Sequence, residues 1–150
     1  MEKALEIRNF TRKDKPKCLE IFKSNHPKYF ATHELPLFDK WLDTCELKEY
    51  FVAEKEGEIL ACGGVFLDGR FDKAGLSWGM VHSGFHGKGI GREFTQFRVE
   101  KMKELFPTYG AMLETSQFTF KFYEKLGFET KEITVDGFGG GFDKYLMEKG

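Results

Sequence analysis

Between residues 78 and 92 the chain reads Trp-Gly-Met-Val-His-Ser-Gly-Phe-His-Gly-Lys-Gly-Ile-Gly-Arg, and few folds accommodate such a stretch. An extended apolar run enters a loop with glycine at 87, 89 and 91, and a helical pattern starts at once. A strand that feeds a helix through such a turn leaves the first N–H groups of the helix without partners. Those groups, with the helix dipole behind them, favour an anion. Glycines at 87, 89 and 91 let the backbone approach a ligand where a Cβ would intrude. The stretch predicts a pyrophosphate-binding turn.

The flanking pattern is of short strands and helices. Residues 5–10 alternate apolar and polar, as a half-buried strand does. Thr11 or Asp14 can cap a helix with Cys18, Leu19, Ile21 and Phe22 on one stripe, and His26-Pro27 ends it. Residues 28–35 are less regular and bring Tyr29, Phe30, His33 and Glu34 close together. Pro36 then suits the first turn of a second helix carrying Phe38, Trp41 and Leu42. Two readings of these aromatics stay open: a wall facing a substrate, or rings packed on a sheet.

Residues 50–54 and 59–67 read as an antiparallel hairpin turned by Lys55-Glu56-Gly57-Glu58. Inside it, Gly63-Gly64 predicts a bulge or a close approach to the backbone. A turn signal at Asp68-Gly69-Arg70 leads to a strand over 74–82, which feeds the glycine loop. A helix over 89–106 shows Ile90, Phe94, Phe97, Met102 and Leu105 at helical spacing. A short strand at 111–114, a short helix at 117–125 ended by Gly127, and strands at 128–135 and 142–147 complete the order. The glycines at 137 and 139–141 open no helix and so predict a hairpin connection. The expected fold class is α+β, a mixed, mostly antiparallel β-sheet flanked by helices, in the order β-α-α-β-β-β-α-β-α-β-β. Residues 1–150 are expected to form one domain.

Composition removes several classes of function. A formal net charge of −1 argues against a nucleic-acid surface. The three cysteines and four histidines make no metal-ligand spacing, so no metal is expected. Scattered thiols fit a reducing compartment, and no long apolar run suggests a membrane span, so the expected location is cytoplasmic without a membrane partner. The 17 phenylalanines imply either a Phe-packed core or an aromatic cleft.

The glycine loop is neither of two familiar kinds. A Walker-type loop needs Ser or Thr after the lysine, whereas Lys88 is followed by Gly89. A dinucleotide fingerprint needs a third glycine where Arg92 stands. The segment His86-Gly87-Lys88-Gly89-Ile90-Gly91 resembles the acyl-CoA loop of the GNAT superfamily of N-acetyltransferases, written [RQ]-x-x-G-x-[GA]. A second block, Glu114-Thr115-Ser116 followed by Phe122-Tyr123-Glu124-Lys125-Leu126-Gly127-Phe128, is similar to that family's N-x-x-A-x-x-x-Y-x-x-x-G-F element. The element order also matches. His86 departs from the usual Arg or Gln, Ser116 from Asn, and Thr119 from a small residue.

The resemblance implies transfer of acetyl from acetyl-CoA, a co-substrate, to a primary amine by direct attack in a ternary complex. Loop backbone from His86 through Gly87, Lys88, Gly89, Ile90, Gly91 and Arg92 would hold the diphosphate. Backbone of Met80 and Val81 would align the pantetheine arm, which Gly79 admits, and Ser116 would touch it. A Met80 N–H would receive the oxyanion, and Tyr123 would protonate the leaving thiolate. An alkyl ammonium, with a pKa of about 10.4, must lose a proton before it attacks, so a base is needed. The candidates are His82 or Glu114, with His33 and Glu34 behind them, directly or through a water. Tyr29, Phe30, His33, Glu34 and Trp41 would line the acceptor pocket for a small-molecule or peptide amine. The alternatives are a non-catalytic acyl-CoA-binding module or use of another acyl-CoA. A homodimer is left open.

Overall fold

The computed structural model describes residues 5–68 and 73–149. Strand β1 (Glu6–Asn9) is followed by helices α1 (Lys15–Asn25) and α2 (Glu34–Thr44). Strands β2 (Tyr50–Lys55), β3 (Glu58–Asp68) and β4 (Lys73–Val81) come next, then α3 (Ile90–Leu105), β5 (Gly110–Thr115) and α4 (Phe120–Glu124). Strands β6 (Glu129–Gly139) and β7 (Phe142–Lys149) end the described chain. The predicted element order and the α+β class are both found. Gly69 and Arg70, part of a predicted turn, lie outside the described residues.

The seven strands form one sheet in the order β1-β2-β3-β4-β5-β7-β6, antiparallel except where β4 meets β5. Residues 50–53 are continuously buried because both faces of the sheet are covered. Tyr50 and Val52 face α1 and α2, packed with Phe10, Ile21, Phe22 and Phe38. Phe51 and Ala53 face α3, packed with Phe94, Val99 and Met102. Helix α1 buries Cys18, Ile21, Phe22 and Asn25 on one stripe, and α2 buries Phe38 and Leu42. Both readings of the phenylalanine content therefore hold, since Phe10, Phe22 and Phe38 fill the core while other rings line a cavity.

Turn chemistry explains the hairpins. Glu56 and Gly57 take φ of 53° and 81°, the left-handed pair that a two-residue hairpin turn requires. The predicted glycine-rich connection near 137–141 is a hairpin, but β6 runs on to Gly139, leaving only Gly140 and Gly141 to turn. The helix predicted over 117–125 is only five residues long, because residues 116–119 form a turn first: Ser116 O accepts from Thr119 N at 3.1 Å and Phe120 N at 3.0 Å.

Two irregularities create the site. β4 and β5 pair only through Lys73–Gly75 and Gly110–Met112, so the strands part beyond Gly75. The β3–β4 register also slips between Cys62 and Gly64: Ser77 faces Gly64 and Met80 faces Cys62, so two residues of β4 oppose one of β3. Trp78, inside this bulge, has φ of 36°, a strained value for a bulky residue.

Candidate functional site

A cavity of about 910 Å³ opens where β4 and β5 part. Ser77, Trp78, Gly79, Met80 and Val81 line one side, and Leu113, Glu114, Thr115 and Ser116 the other. The glycine loop lies at one end, through Gly87, Gly89, Gly91 and Arg92. Tyr29 and Phe30, between α1 and α2, and Glu34 and Trp41 of α2 supply a further wall.

The loop has the makings of an anion cradle. Gly87 and Gly89 take φ of 76° and 81°, and a Cβ at either would meet nothing within 4 Å. Their glycines are therefore required by conformation. Glu93 N makes a helical bond to Gly89 O at 3.1 Å, so Ile90, Gly91 and Arg92 hold the N–H groups that an α-helix leaves unpaired in its first turn. Gly89, the N-cap, brings no side chain to cover them. These donors, open space above two glycines and Arg92 beside them fit a diphosphate. Ile90 itself is buried in the core, and the Lys88 ammonium lies 5.6 Å from the Phe85 ring centroid.

His86 does something other than contact a phosphate through its Nε2. That atom lies 2.8 Å from Val81 O, and the ring packs edge-on to Tyr29 at 5.5 Å, so the side chain ties the loop to the end of β4. Asn25 Nδ2, which the sequence reading did not single out, donates to the same carbonyl at 2.8 Å. Ser116 is buried, and its Oγ accepts from Phe118 N at 3.3 Å as part of the turn into α4.

Ladder parity revises the expectation for Met80. His82 N donates to Leu60 O at 2.8 Å, and hydrogen-bonded pairs alternate along an antiparallel ladder. Met80, opposite Cys62, therefore turns its N–H toward β3, and Val81 turns its backbone toward the cavity side. Across the bulge, Tyr50 Oη donates to Trp78 O at 2.8 Å. In a trans peptide the following N–H points the other way. Gly79 N–H is thereby aimed at the face where α3 lies.

The candidate bases separate cleanly. His82 is not among the cavity-lining residues; its Nδ1 accepts from Gly84 N at 3.0 Å and caps the turn at Ser83–Phe85. His33 is also outside the lining, where a Cβ on Gly139 would lie 3.1 Å from its Cε1. Glu34 and Glu114 do line the cavity. Burial raises the Glu34 carboxyl above its ordinary range, although Ala31 N donates to its Oε2 at 3.0 Å. Glu114 lies 3.6 Å from Lys144 Nζ. Tyr123 lines the cavity from α4, its ring edge-on to Phe122 at 5.0 Å.

The structure also corrects the reason for two glycine features. The space a Cβ on Gly79 would need is taken by the Arg98 guanidinium, not left for a ligand arm. Arg98 also abuts Gly63, and Tyr50 abuts Gly64. The sequence carried a signal for Arg98: residues 94, 98 and 102 share a helix face, and Phe94 and Met102 are apolar. Cys62 packs beside Cys18, whose thiol is pushed up by a hydrogen bond to Cys62 and by burial; both thiols are fully buried, so neither is accessible as a nucleophile.

Among the described residues no helix is long and apolar enough to cross a membrane. No curated protein matches the chain. Solved structures with the same fold include Ard1 from Thermoplasma volcanium, 18% identical, covering 98% of this chain and 97% of that one with a TM-score of 0.79. The ribosomal-protein-S18-alanine N-acetyltransferase from Escherichia coli, 18% identical, covers 97% and 93% with a TM-score of 0.76. The structure of yncA from Salmonella typhimurium with its cofactor acetyl-CoA, 18% identical, covers 97% and 93% with a TM-score of 0.75. The family model described as Acetyltransferase (GNAT) family matches residues 15–128. This chain belongs to the GNAT acetyltransferase family and is an acyltransferase.

Proposed function

We propose that the chain transfers the acetyl group of acetyl-CoA to a primary amine by direct attack in a ternary complex. The observation that carries this reading is one cavity joining the uncapped helix start, the free edge of β4 and the Tyr123 ring. The diphosphate lies on the N–H groups of residues 87–92, and the pantetheine arm runs along Val81 where β4 lacks a partner strand. The amine nitrogen attacks the thioester carbonyl, the C–S bond breaks, and Tyr123 gives its proton to the sulfur. A positioned phenol is a competent proton donor to a leaving thiolate. We assign the oxyanion donor to Gly79 N–H rather than Met80 N–H, on the peptide orientation described above.

The acceptor enters from the side of α1 and α2. Tyr29, Phe30, Trp41 and Phe138 surround that half with rings, and Glu34 is its half-buried carboxylate. This combination suits a primary amine on an apolar body, with Glu34 taking its proton directly or through a water. A Cβ on Gly139 would lie 3.1 Å from His33 and one on Gly140 3.3 Å from Ala31. The β6–β7 hairpin thus roofs this half and favours a small amine over a folded protein surface.

The test is release of CoA thiol from acetyl-, propionyl- and succinyl-CoA across aryl-alkyl amines, polyamines and peptide amines. Turnover with acetyl-CoA and an aryl-alkyl amine is expected. CoA binding without release on any amine would leave a binding module instead.

A further inference from the structure

Arg98 is a fully buried cation with an unusual set of partners. It is 2% exposed. Its Nε and Nη2 donate to Gly64 O at 3.2 and 3.0 Å, and Nη2 donates to Ser77 O at 2.9 Å. The Phe94 ring centroid is 5.6 Å from its Cζ. No carboxylate of the described residues forms an ion pair with it. Burial pulls the guanidinium below its usual range, and Tyr123, Tyr50 and Cys62 act in the opposite sense. A buried charge that no described carboxylate pairs costs stability that an apolar side chain would not. The helix stripe, the cavity floor and two glycines nonetheless all make room for it.

Its partners show what it holds. Gly64 O belongs to β3 and Ser77 O to β4, the two residues that face each other at the edge of the bulge. Tyr50 takes the next carbonyl, Trp78 O, from the opposite face of the sheet. Consecutive carbonyls of β4 are thus drawn to opposite faces, and the backbone between them turns through the positive φ of Trp78. Such a conformation persists only where its surroundings over-determine it.

We propose that Arg98 is a positioning residue for acyl transfer: with Tyr50 it holds the β4 bulge in the orientation that turns Gly79 N–H toward the thioester carbonyl oxygen. The inference rests on the acetyl-transfer reading above. Arg98 forms no bond to substrate; it acts through the backbone of residues 77–79. The Tyr123 phenol is a further neighbour of its guanidinium, so Tyr50→Phe, which leaves that neighbour in place, separates an effect on the bulge from one on Tyr123.

The variants are Arg98→Met, Arg98→Lys and Tyr50→Phe, each read three ways: amide hydrogen exchange of residues 76–81, CoA affinity by direct titration, and steady-state kinetics. In Arg98→Met, exchange over 76–81 should rise at least about tenfold while distant strands keep their protection. The kcat should fall about 10²-fold, the scale of a lost oxyanion donor, with CoA affinity changed less than about threefold. Arg98→Lys, which cannot reach both carbonyls in a fork, should recover only part of the rate. Unchanged kcat, or loss of CoA affinity in step with kcat in a variant that stays folded, would overturn the proposal. Should Arg98→Met not fold, Tyr50→Phe decides by the same readouts, because it removes one oxygen and leaves the ring. A wild-type protein inactive on every amine refutes the acetyl-transfer reading, and normal exchange over 76–81 in the variants refutes the clamp.

Discussion

At the scale of single residues, the site separates groups that face the cavity from groups that support it. Tyr123 faces it, and its expected role is proton donor to the leaving sulfur. Tyr123→Phe should lower kcat about 10²-fold or more, the usual worth of a positioned acid, and should leave CoA affinity within about twofold. A titration of CoA binding beside initial rates checks this, and equal kcat in the two proteins would remove Tyr123 from the chemistry. His86 and His82, both legible from the sequence as candidates, belong to the supporting group. Their ring nitrogens meet Val81 O and Gly84 N, contacts that depend on how the loop folds back on β4. Residue type and spacing announce an imidazole; they do not announce which way it points.

At the scale of elements, the strand-loop-helix unit from β4 to α3 carries the glycine loop. Its glycines at 87 and 89 take left-handed backbone with open space beside them, so the constraint there is conformational rather than steric. Gly89→Ala should therefore cost about 1 kcal/mol of stability, the left-handed penalty. It should also weaken CoA binding several-fold while kcat at saturation is kept. Thermal melts and CoA titration measure the two effects, and unchanged affinity would move the diphosphate elsewhere. This loop was readable because turn conformation and helix start are set by neighbours within a few residues. The bulge in β4 was readable only as an unexplained Gly63-Gly64 pair. The side chains that crowd it are Arg98 at Gly63 and Tyr50 at Gly64, both distant in sequence.

At the scale of the whole molecule, the cavity is assembled from elements far apart in sequence, and ligand binding should be felt throughout. Acetyl-CoA at about 100 times its Kd should add about 2.7 kcal/mol to stability. For a domain of this size that raises Tm by about 5–10 °C. Differential scanning fluorimetry with acetyl-CoA, and with adenosine diphosphate as a partial ligand, measures it. No shift at saturating acetyl-CoA would refute the cofactor assignment.

By itself the sequence determined the element order, the hairpin turns, the helix start at the glycine loop and the family blocks at 86–91 and 122–128. These follow from periodicity, turn residues and short-range hydrogen bonding, all local. Only the tertiary structure decided that β4 and β5 part after three residue pairs. It alone decided that Glu34 and Glu114 reach the cavity while His82 and His33 do not. Each of these depends on strand register and on contacts between distant segments. An amino-acid pattern records that a residue must be small, apolar or charged, and folding decides what it stands beside.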